Sequence, residues 1–287
     1  MFNFSIIIPT KNEEKNILSC LKSIFNQTQK NIEIVIIDSF SKDKTISLVK
    51  RYLKKKKRKD IKLNIISRNF PAEKAIAYGI HHSRGNIISF LGADDRLYNE
   101  QTLSNIKKIF KNINNEILYG SYLIINDDEE VVRKVISKRF DRNYILNKEN
   151  YICATSLFFK KSIFTKINKS EEDGYDFAFI LKFSQKFKFF RTKMILSKFK
   201  IHPMSNSGNF YKNLINIEKD YLISKKYGGR SFNNYHLRYL IVKILGFFNL
   251  IWLAELKRRF SMSNLLKRNI DFKNNSEEVR ERISQKI

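Results

Sequence analysis

Two adjacent carboxylates, Asp94 and Asp95, follow a short apolar run at residues 87–91 and a small-residue turn, Gly92-Ala93. The run reads as a buried strand. Two carboxylates at a strand end repel by about 1 kcal/mol at 4 Å in water and several-fold more beside protein. A bound divalent cation reverses the sign of that term. Hard oxygen ligands beside a phosphate suit Mg2+ or Mn2+. The plainer reading is a solvated Asp-Asp turn before a helix that starts near Glu100. The company the pair keeps favours the first. Two more apolar runs end in polar residues, 4–8 in Pro9-Thr10 and 32–37 in Asp38-Ser39. In a parallel sheet all three ends open on one crevice, where such sheets bind ligands.

The elements that must position these groups read as alternating strands and helices. After Pro9, Thr10 and Glu13 have the spacing of a capping box, and Ile17, Leu18, Leu21, Ile24 and Phe25 recur at helical spacing. Residues 32–37 are apolar apart from Glu33, as in a sheet covered on both faces. Ser39 or Ser41 is placed to cap a helix over 45–53. A third strand at 63–66, a helix at 73–82, the strand at 87–91 and a helix carrying Leu103, Ile106, Ile109, Phe110 and Ile113 complete an α/β layer with a parallel sheet. Beyond it come a hairpin at 118–126 and 131–138, a strand at 154–159, an acidic segment at 171–176 leading into a Phe- and Leu-rich helix, and a last strand at 194–201. Residues 209–287 read as helices.

Composition narrows the classes. The 287 residues carry 55 Lys and Arg against 28 Asp and Glu, a net charge of +27. A basic surface suits nucleic acid, but it equally suits anionic lipid and nucleotide-sugar phosphates. A nucleic-acid binder leaves Asp38 and the Asp94-Asp95 pair at one crevice without a purpose, so no nucleic-acid partner is expected. The basic run 54–59 reads as a solvated loop. Cys20 and Cys153 lie too far apart in sequence to suggest a metal spacing or disulfide framework and read as core packing in a reducing compartment. There is no Gly-x-Gly-x-x-Gly after the first strand and no Gly-Lys-Ser/Thr loop. The N-terminus enters a strand directly and lacks the features of a signal peptide.

Four motifs then stand in order: Ile6-Ile7-Ile8-Pro9-Thr10-Lys11-Asn12-Glu13, Asn31-Ile32-Glu33-Ile34-Val35-Ile36-Ile37-Asp38-Ser39, Ser41-Lys42-Asp43-Lys44-Thr45 and Phe90-Leu91-Gly92-Ala93-Asp94-Asp95. Together they resemble family 2 glycosyltransferases of the GT-A fold, and most nearly bacterial enzymes that build surface polysaccharide and lipopolysaccharide. The resemblance covers residues 4–205. It implies an α/β, Rossmann-like, mostly parallel sheet flanked by helices in a catalytic domain over 1–205, with a helical C-terminal region over 206–287.

The resemblance also implies roles. Pro9, Thr10, Asn12 and Glu13 would line the nucleotide pocket, Asp38 would bond the uracil edge, and Arg68 would lie near base and phosphates. Asp94 would face the ribose. Asp95 would bind Mn2+ or Mg2+ bridging the diphosphate of a UDP-sugar, with the cation as Lewis acid. His202, where the family often has a polar residue near the diphosphate, is a second candidate metal ligand; the alternative is a surface histidine. The general base lies in an acidic pair before an apolar helix with a basic residue six positions on. Asp176, with Lys182, fits that pattern, and Asp173 and Glu172 compete with it. All three acids would otherwise serve a helix N-terminus. Transfer would be inverting, in one displacement, onto a glycan or lipid-linked acceptor. The departures are Gly92 where the first Asp is common, Ala75-Ile76-Ala77 where an Ala-Arg-Asn-like stretch is expected, and Tyr175 where Glu is frequent. The alternative function is a non-catalytic protein that binds nucleotide-sugar or nucleic acid.

Residues 237–254 are the most apolar run. Arg238 and Lys243 bring bilayer insertion near balance. With Trp252, Phe260 and Lys257-Arg258-Arg259 nearby, the run reads as an interfacial anchor on an anionic membrane or as packing in a homo-oligomer. The expected location is cytoplasmic, peripheral to the inner membrane.

Overall fold

The computed structural model of the chain describes residues 2–56, 58–166, 170, 174–202, 210–248 and 250–253. Four β-branched runs form parallel neighbours in the order β3-β2-β1-β4: β1 (Phe4–Thr10), β2 (Ile32–Asp38), β3 (Ile61–Ser67) and β4 (Ile87–Phe90). Side chains alternate between the two faces of a strand. Ile6, Ile8, Ile34 and Ile36 accordingly enter one core with α1 (Ile17–Phe25) and α4 (Thr102–Asn112). Ile7, Val35, Ile37 and Phe90 enter another with α3 (Ala72–His82) and α6 (Asp176–Phe183). Burial of each such side chain contributes about 1.5–3 kcal/mol. Glu33, the polar exception in β2, is 1% exposed and accepts bonds from Ser5 Oγ and the Arg84 N–H.

The register matters for the site. Thr10 pairs with Asp38, and Asp38 with Ser67, so the ends of β1, β2 and β3 are level. The sheet then continues through β8 (Leu157–Lys160), antiparallel to β4, to β6 (Ile117–Ile125), β9 (Phe189–Lys200) and the two-residue β5 (Arg96–Leu97). β7 (Val131–Val135) pairs with β6 as the expected hairpin. The remaining helices are α2 (Thr45–Lys55), α5 (Arg142–Asn147), α7 (Phe210–Lys226) and α8 (Asn234–Phe247).

Several local expectations are corrected. Thr10 closes β1 and caps no helix; α1 begins at Ile17, after Asn16. The capping-box spacing fails because the Glu13 carboxylate accepts from Asn16 Nδ2 instead of reaching back. Neither Ser39 nor Ser41 caps α2; Asp43 Oδ1 accepts the Thr45 N–H. β5 and α5 had no periodic signal, being two and six residues long.

The chain divides into two compact units, Met1–Ile241 and Val242–Ile287. The first extends past the boundary expected at 205. Ser224 Oγ donates to Leu146 O at 2.7 Å, Tyr235 Oη donates to Ile145 O at 2.7 Å, and the Tyr235 and Phe177 rings pack tilted with centres 4.9 Å apart. α8 leaves Leu237 and Ile241 exposed. In the second unit Ile244, Phe247, Phe248 and Trp252 are exposed. Among the described residues no helix is long and apolar enough to cross a membrane. Ala254 and Lys257–Phe260 lie outside the described residues.

Candidate active site

The loops after β1 and β2 are fastened to each other by side chains. Asn12 sits at φ 56°, a left-handed conformation that Asn tolerates. Its N–H donates to Ser41 Oγ at 2.9 Å, and its Oδ1 accepts from the Lys42 N–H at 2.8 Å. The Glu13 N–H donates to Thr45 Oγ1 at 2.7 Å. Asp38, 3% exposed, accepts from both the N–H and the Oγ of Ser41. The Ser39 N–H donates to Thr10 O, and the Arg68 N–H donates to Asp38 O, each at 2.9 Å. Thr10, Asn12, Glu13 and Asp38 thus belong to one braced edge, with Pro9 half-buried below and the Arg68 side chain exposed beside it. Phe40 was not singled out by the sequence reading. It sits at φ 55° with 57% of its surface exposed, an outlier for a bulky residue and a mark of a constrained loop.

The Asp94-Asp95 turn meets this edge because β5 pairs with β9 just beyond it, Arg96 opposite Lys198. The Lys200 N–H donates to Asp95 Oδ1 at 2.8 Å, and His202 Nε2 lies 3.1 Å from Asp94 Oδ2. The two carboxylates have different surroundings. Asp95, the expected cation ligand, is 3% exposed with one oxygen engaged by backbone. Asp94, the expected ribose contact, is the one that faces His202. A Cβ at Gly92 would lie 2.5 Å from Asp95 Oδ2 and 2.6 Å from Asp94 Oδ1, so a side chain there would displace the two carboxylates.

Electrostatics agree with a crowded anionic pocket. Burial, and then Asp94, push the Asp95 carboxyl well above the usual range. Burial raises Glu13 as well, against the Asn16 hydrogen bond, with Asp94 adding to the rise. The hydrogen bond to Asp94 raises His202. Like charges and an imidazole gathered in this way suit a cation. Among the described residues no three His, Cys, Asp or Glu side chains are arranged to hold a metal ion. Asp94 and His202, with Asp95 beside them, are the residues at this turn that could contribute to holding a divalent cation.

Asp176 opens α6. Its Oδ1 accepts the Phe177 N–H at 2.8 Å, and its Oδ2 accepts from Asn150 Nδ2 at 3.4 Å. Burial pushes its carboxyl up to about 6, against the pull of that N–H and of Lys219. Cys153 corrects the core-packing expectation: it is only half-buried, its thiol is pushed up to about 12 by burial, and it feels both Asp95 and Asp176. Its Sγ lies 3.3 Å from Thr155 Oγ1. Cys20 is fully buried, as expected. Asp173 and Glu172 lie outside the described residues. The sequence reading missed Asn150, Lys200 and Asp220. Tyr175 Oη donates to Asp220 Oδ1 at 2.6 Å, and burial pushes Asp220 up to about 6.

Comparison with known proteins follows the same lines. The sequence model described as glycosyl transferase family 2 matches residues 5–199. A Methanococcus voltae protein named dolichyl N-acetyl-alpha-D-glucosaminyl phosphate 3-beta-D-2,3-diacetamido-2,3-dideoxy-beta-D-glucuronosyltransferase is 31% identical over 274 residues, covering 91% of this chain and 80% of that protein. An Escherichia coli UDP-Glc:alpha-D-GlcNAc-diphosphoundecaprenol beta-1,3-glucosyltransferase is 27% identical over 216 residues, covering 73% and 81%. Among solved structures, the Pyrobaculum calidifontis mannosyltransferase with GDP-Man and Mn2+ superposes with TM-score 0.58 at 15% identity, covering 83% of this chain and 69% of that one. Staphylococcus aureus TarS with UDP-GlcNAc gives 0.56 at 17%, covering 82% and 69%. At these identities the likeness is one of fold, and the fold is GT-A.

Proposed function

The chain belongs to glycosyl transferase family 2, and on that premise we propose that it moves a sugar from a UDP-sugar, with inversion, to a hydroxyl of a glycan carried on a lipid phosphate. Family membership makes it a glycosyltransferase of polysaccharide or glycolipid synthesis. Two relatives' names supply the finer reading. The Escherichia coli protein's name gives a UDP-Glc donor and a diphosphoundecaprenol-linked acceptor, and the Methanococcus protein's name gives a dolichyl phosphate-linked one.

The observation that supports the reading most is the approach of His202 Nε2 to Asp94 Oδ2, 3.1 Å, at the end of the sheet that also carries Thr10 and Asp38. Asp94 and His202, with Asp95 behind them, would hold Mn2+ or Mg2+, which when bound supplies Lewis-acid stabilisation of diphosphate charge. The braced loops of Asn12 and Asp38 bind the nucleoside and fix the donor's orientation. Asp176 accepts the proton of the acceptor hydroxyl. The acceptor oxygen then bonds to the anomeric carbon as the bond from that carbon to the diphosphate oxygen breaks, and UDP leaves. A base near pH 6 is matched to neutral conditions. No protein nucleophile is needed.

The test is a thermal-shift titration of UDP with and without Mn2+. Ligand at 100 times Kd raises stability by about 2.7 kcal/mol, so the wild-type shift should grow with Mn2+. Asp94→Ala and His202→Ala should keep the fold and lose the Mn2+ increment. A wild-type increment in Asp94→Ala would sink the assignment.

A further inference from the structure

The turn between β6 and β7 carries four consecutive acids, Asp127-Asp128-Glu129-Glu130. Asn126 shapes it. Its Oδ1 accepts the Glu130 N–H at 2.9 Å, its Nδ2 donates to Glu130 Oε2 at 3.0 Å, and its carbonyl accepts the Glu129 N–H at 3.1 Å. Glu129 takes the left-handed conformation, φ 66°. Strand pairing lays this turn beside the end of β9: Ile125 pairs with Lys200, and the Ile201 N–H donates to Ile125 O at 3.0 Å.

Two buried cations meet the turn. The Lys200 side chain is 7% exposed, and its Nζ lies 3.3 Å from Asp127 Oδ1. The Arg96 side chain is 10% exposed and pairs with Glu129. Among the described residues these are the only carboxylates in ion-pair contact with either cation. A buried cation without a counter-charge is costly, and the hairpin supplies one to each.

Both cations also adjoin the Asp94-Asp95 turn. Arg96 is the next residue, and the Lys200 N–H donates to Asp95 Oδ1. Lys200 Nζ donates to Asn16 Oδ1 at 3.0 Å, and Asn16 Nδ2 donates to Glu13 Oε2 at 2.9 Å. A line of polar contacts thus runs from the hairpin, through Lys200, to the loop after β1. An ammonium and a guanidinium turned toward two carboxylates would neutralise them and repel a divalent cation. Paired with the hairpin, they leave the carboxylates their charge.

We propose that Asp127 and Glu129 are positioning residues that hold the charges of Lys200 and Arg96 on the hairpin side, and so keep the charge of Asp94 and Asp95 available to a divalent cation. The proposal rests on the cation reading given above. It has a consequence of two signs. Without Asp127, the Lys200 ammonium is released toward the nearest anions, so a metal is held less well while a metal-free diphosphate is held as well or better. A brace that merely supports the fold would weaken both.

The test is calorimetric titration of UDP into full-length protein, first in EDTA and then at saturating Mn2+; the ratio of the two affinities is the coupling between metal and nucleotide. Mn2+ should tighten UDP binding in wild type. Asp127→Asn should cut the ratio at least fivefold, with metal-free UDP bound as tightly as in wild type or more tightly. Glu129→Gln should act in the same direction, and Asp127→Glu should restore the ratio. Asp128→Asn is the control: it removes the same charge from the same turn, and Asp128 pairs with no cation among the described residues. An unchanged ratio in an Asp127→Asn variant that melts like wild type overturns the proposal. So does a parallel loss of metal-free UDP binding, which marks a structural brace, or an Asp128→Asn variant that behaves like Asp127→Asn, which marks a diffuse field. Should Asp127→Asn melt early, Glu129→Gln carries the test by the same criteria. A wild type whose UDP affinity ignores Mn2+ overturns the cation reading and this inference with it.

Discussion

The proposed donor edge and the proposed acceptor side of this molecule are held together by different kinds of interaction. At the donor edge, neighbouring loops bond to one another through backbone N–H groups and short side chains: Asn12 with Ser41 and Lys42, Glu13 with Thr45, Asp38 with Ser41. On the acceptor side, carboxylates are half-buried or buried and wait on distant partners: Asp176 beside Asn150, and Asp220 under Tyr175, 45 residues away. The first arrangement fixes a shape with few charges changed. The second tunes proton affinity, because burial raises both Asp176 and Asp220 to about 6. Damage to the first should therefore act on donor binding, and damage to the second on turnover.

Asp176→Asn offers the largest separation. It should lower kcat by about 10²–10⁴-fold, the usual worth of a general base, with the UDP thermal shift unchanged; an active variant would move the base elsewhere. Ser41→Ala removes the bonds to Asp38 and Asn12. It should cost about 1–3 kcal/mol of stability and raise KM for the donor, and a fall in kcat at saturating donor would break the contrast. The pH profile comes next. Asp176 must be ionised to accept a proton, so kcat/KM should rise through a limb near pH 6 and level off above it. Asp220→Asn removes a like charge from the set facing Asp176, which also includes Lys219 and Glu73, and the limb should move to lower pH. A limb that stays put would uncouple the two acids. The smallest effect is expected outside both regions. Phe247 and Phe248, 83% and 62% exposed, suit reversible adsorption to an anionic membrane. Phe247→Glu with Phe248→Glu should reduce sedimentation with anionic liposomes at low salt and leave turnover on a soluble acceptor alone.

The same contrast explains what could be read from the sequence. β1 to β4 were legible because continuous β-branched runs and the polar residues that end them are local signals, and they place Thr10, Asp38 and Asp94-Asp95 at one edge without any long-range knowledge. The Thr10-Glu13 capping box misled because its spacing is also local, while the Glu13 N–H is used by Thr45, on the next loop. The exposure of Asp94 against Asp95 was illegible, since it depends on Lys200, 105 residues away, and on His202, 108 residues away. Asp220 sits in a helix with no motif, and only packing gives it a partner.

One continuous stretch of chain links the two regions. α6 begins with Asp176 and leads directly into β9, whose end supplies Lys200 to Asp95 and, two residues on, His202 to Asp94. The proposed base and the proposed cation ligand are therefore inherited together. A chimaera that exchanges residues between 176 and 202 moves both, and cannot graft one enzyme's proton acceptor onto another's donor chemistry. α7 lies outside that stretch, yet it supplies Lys219 and Asp220 to the surroundings of Asp176, so exchanging α7 alters the proton affinity of Asp176 without moving it.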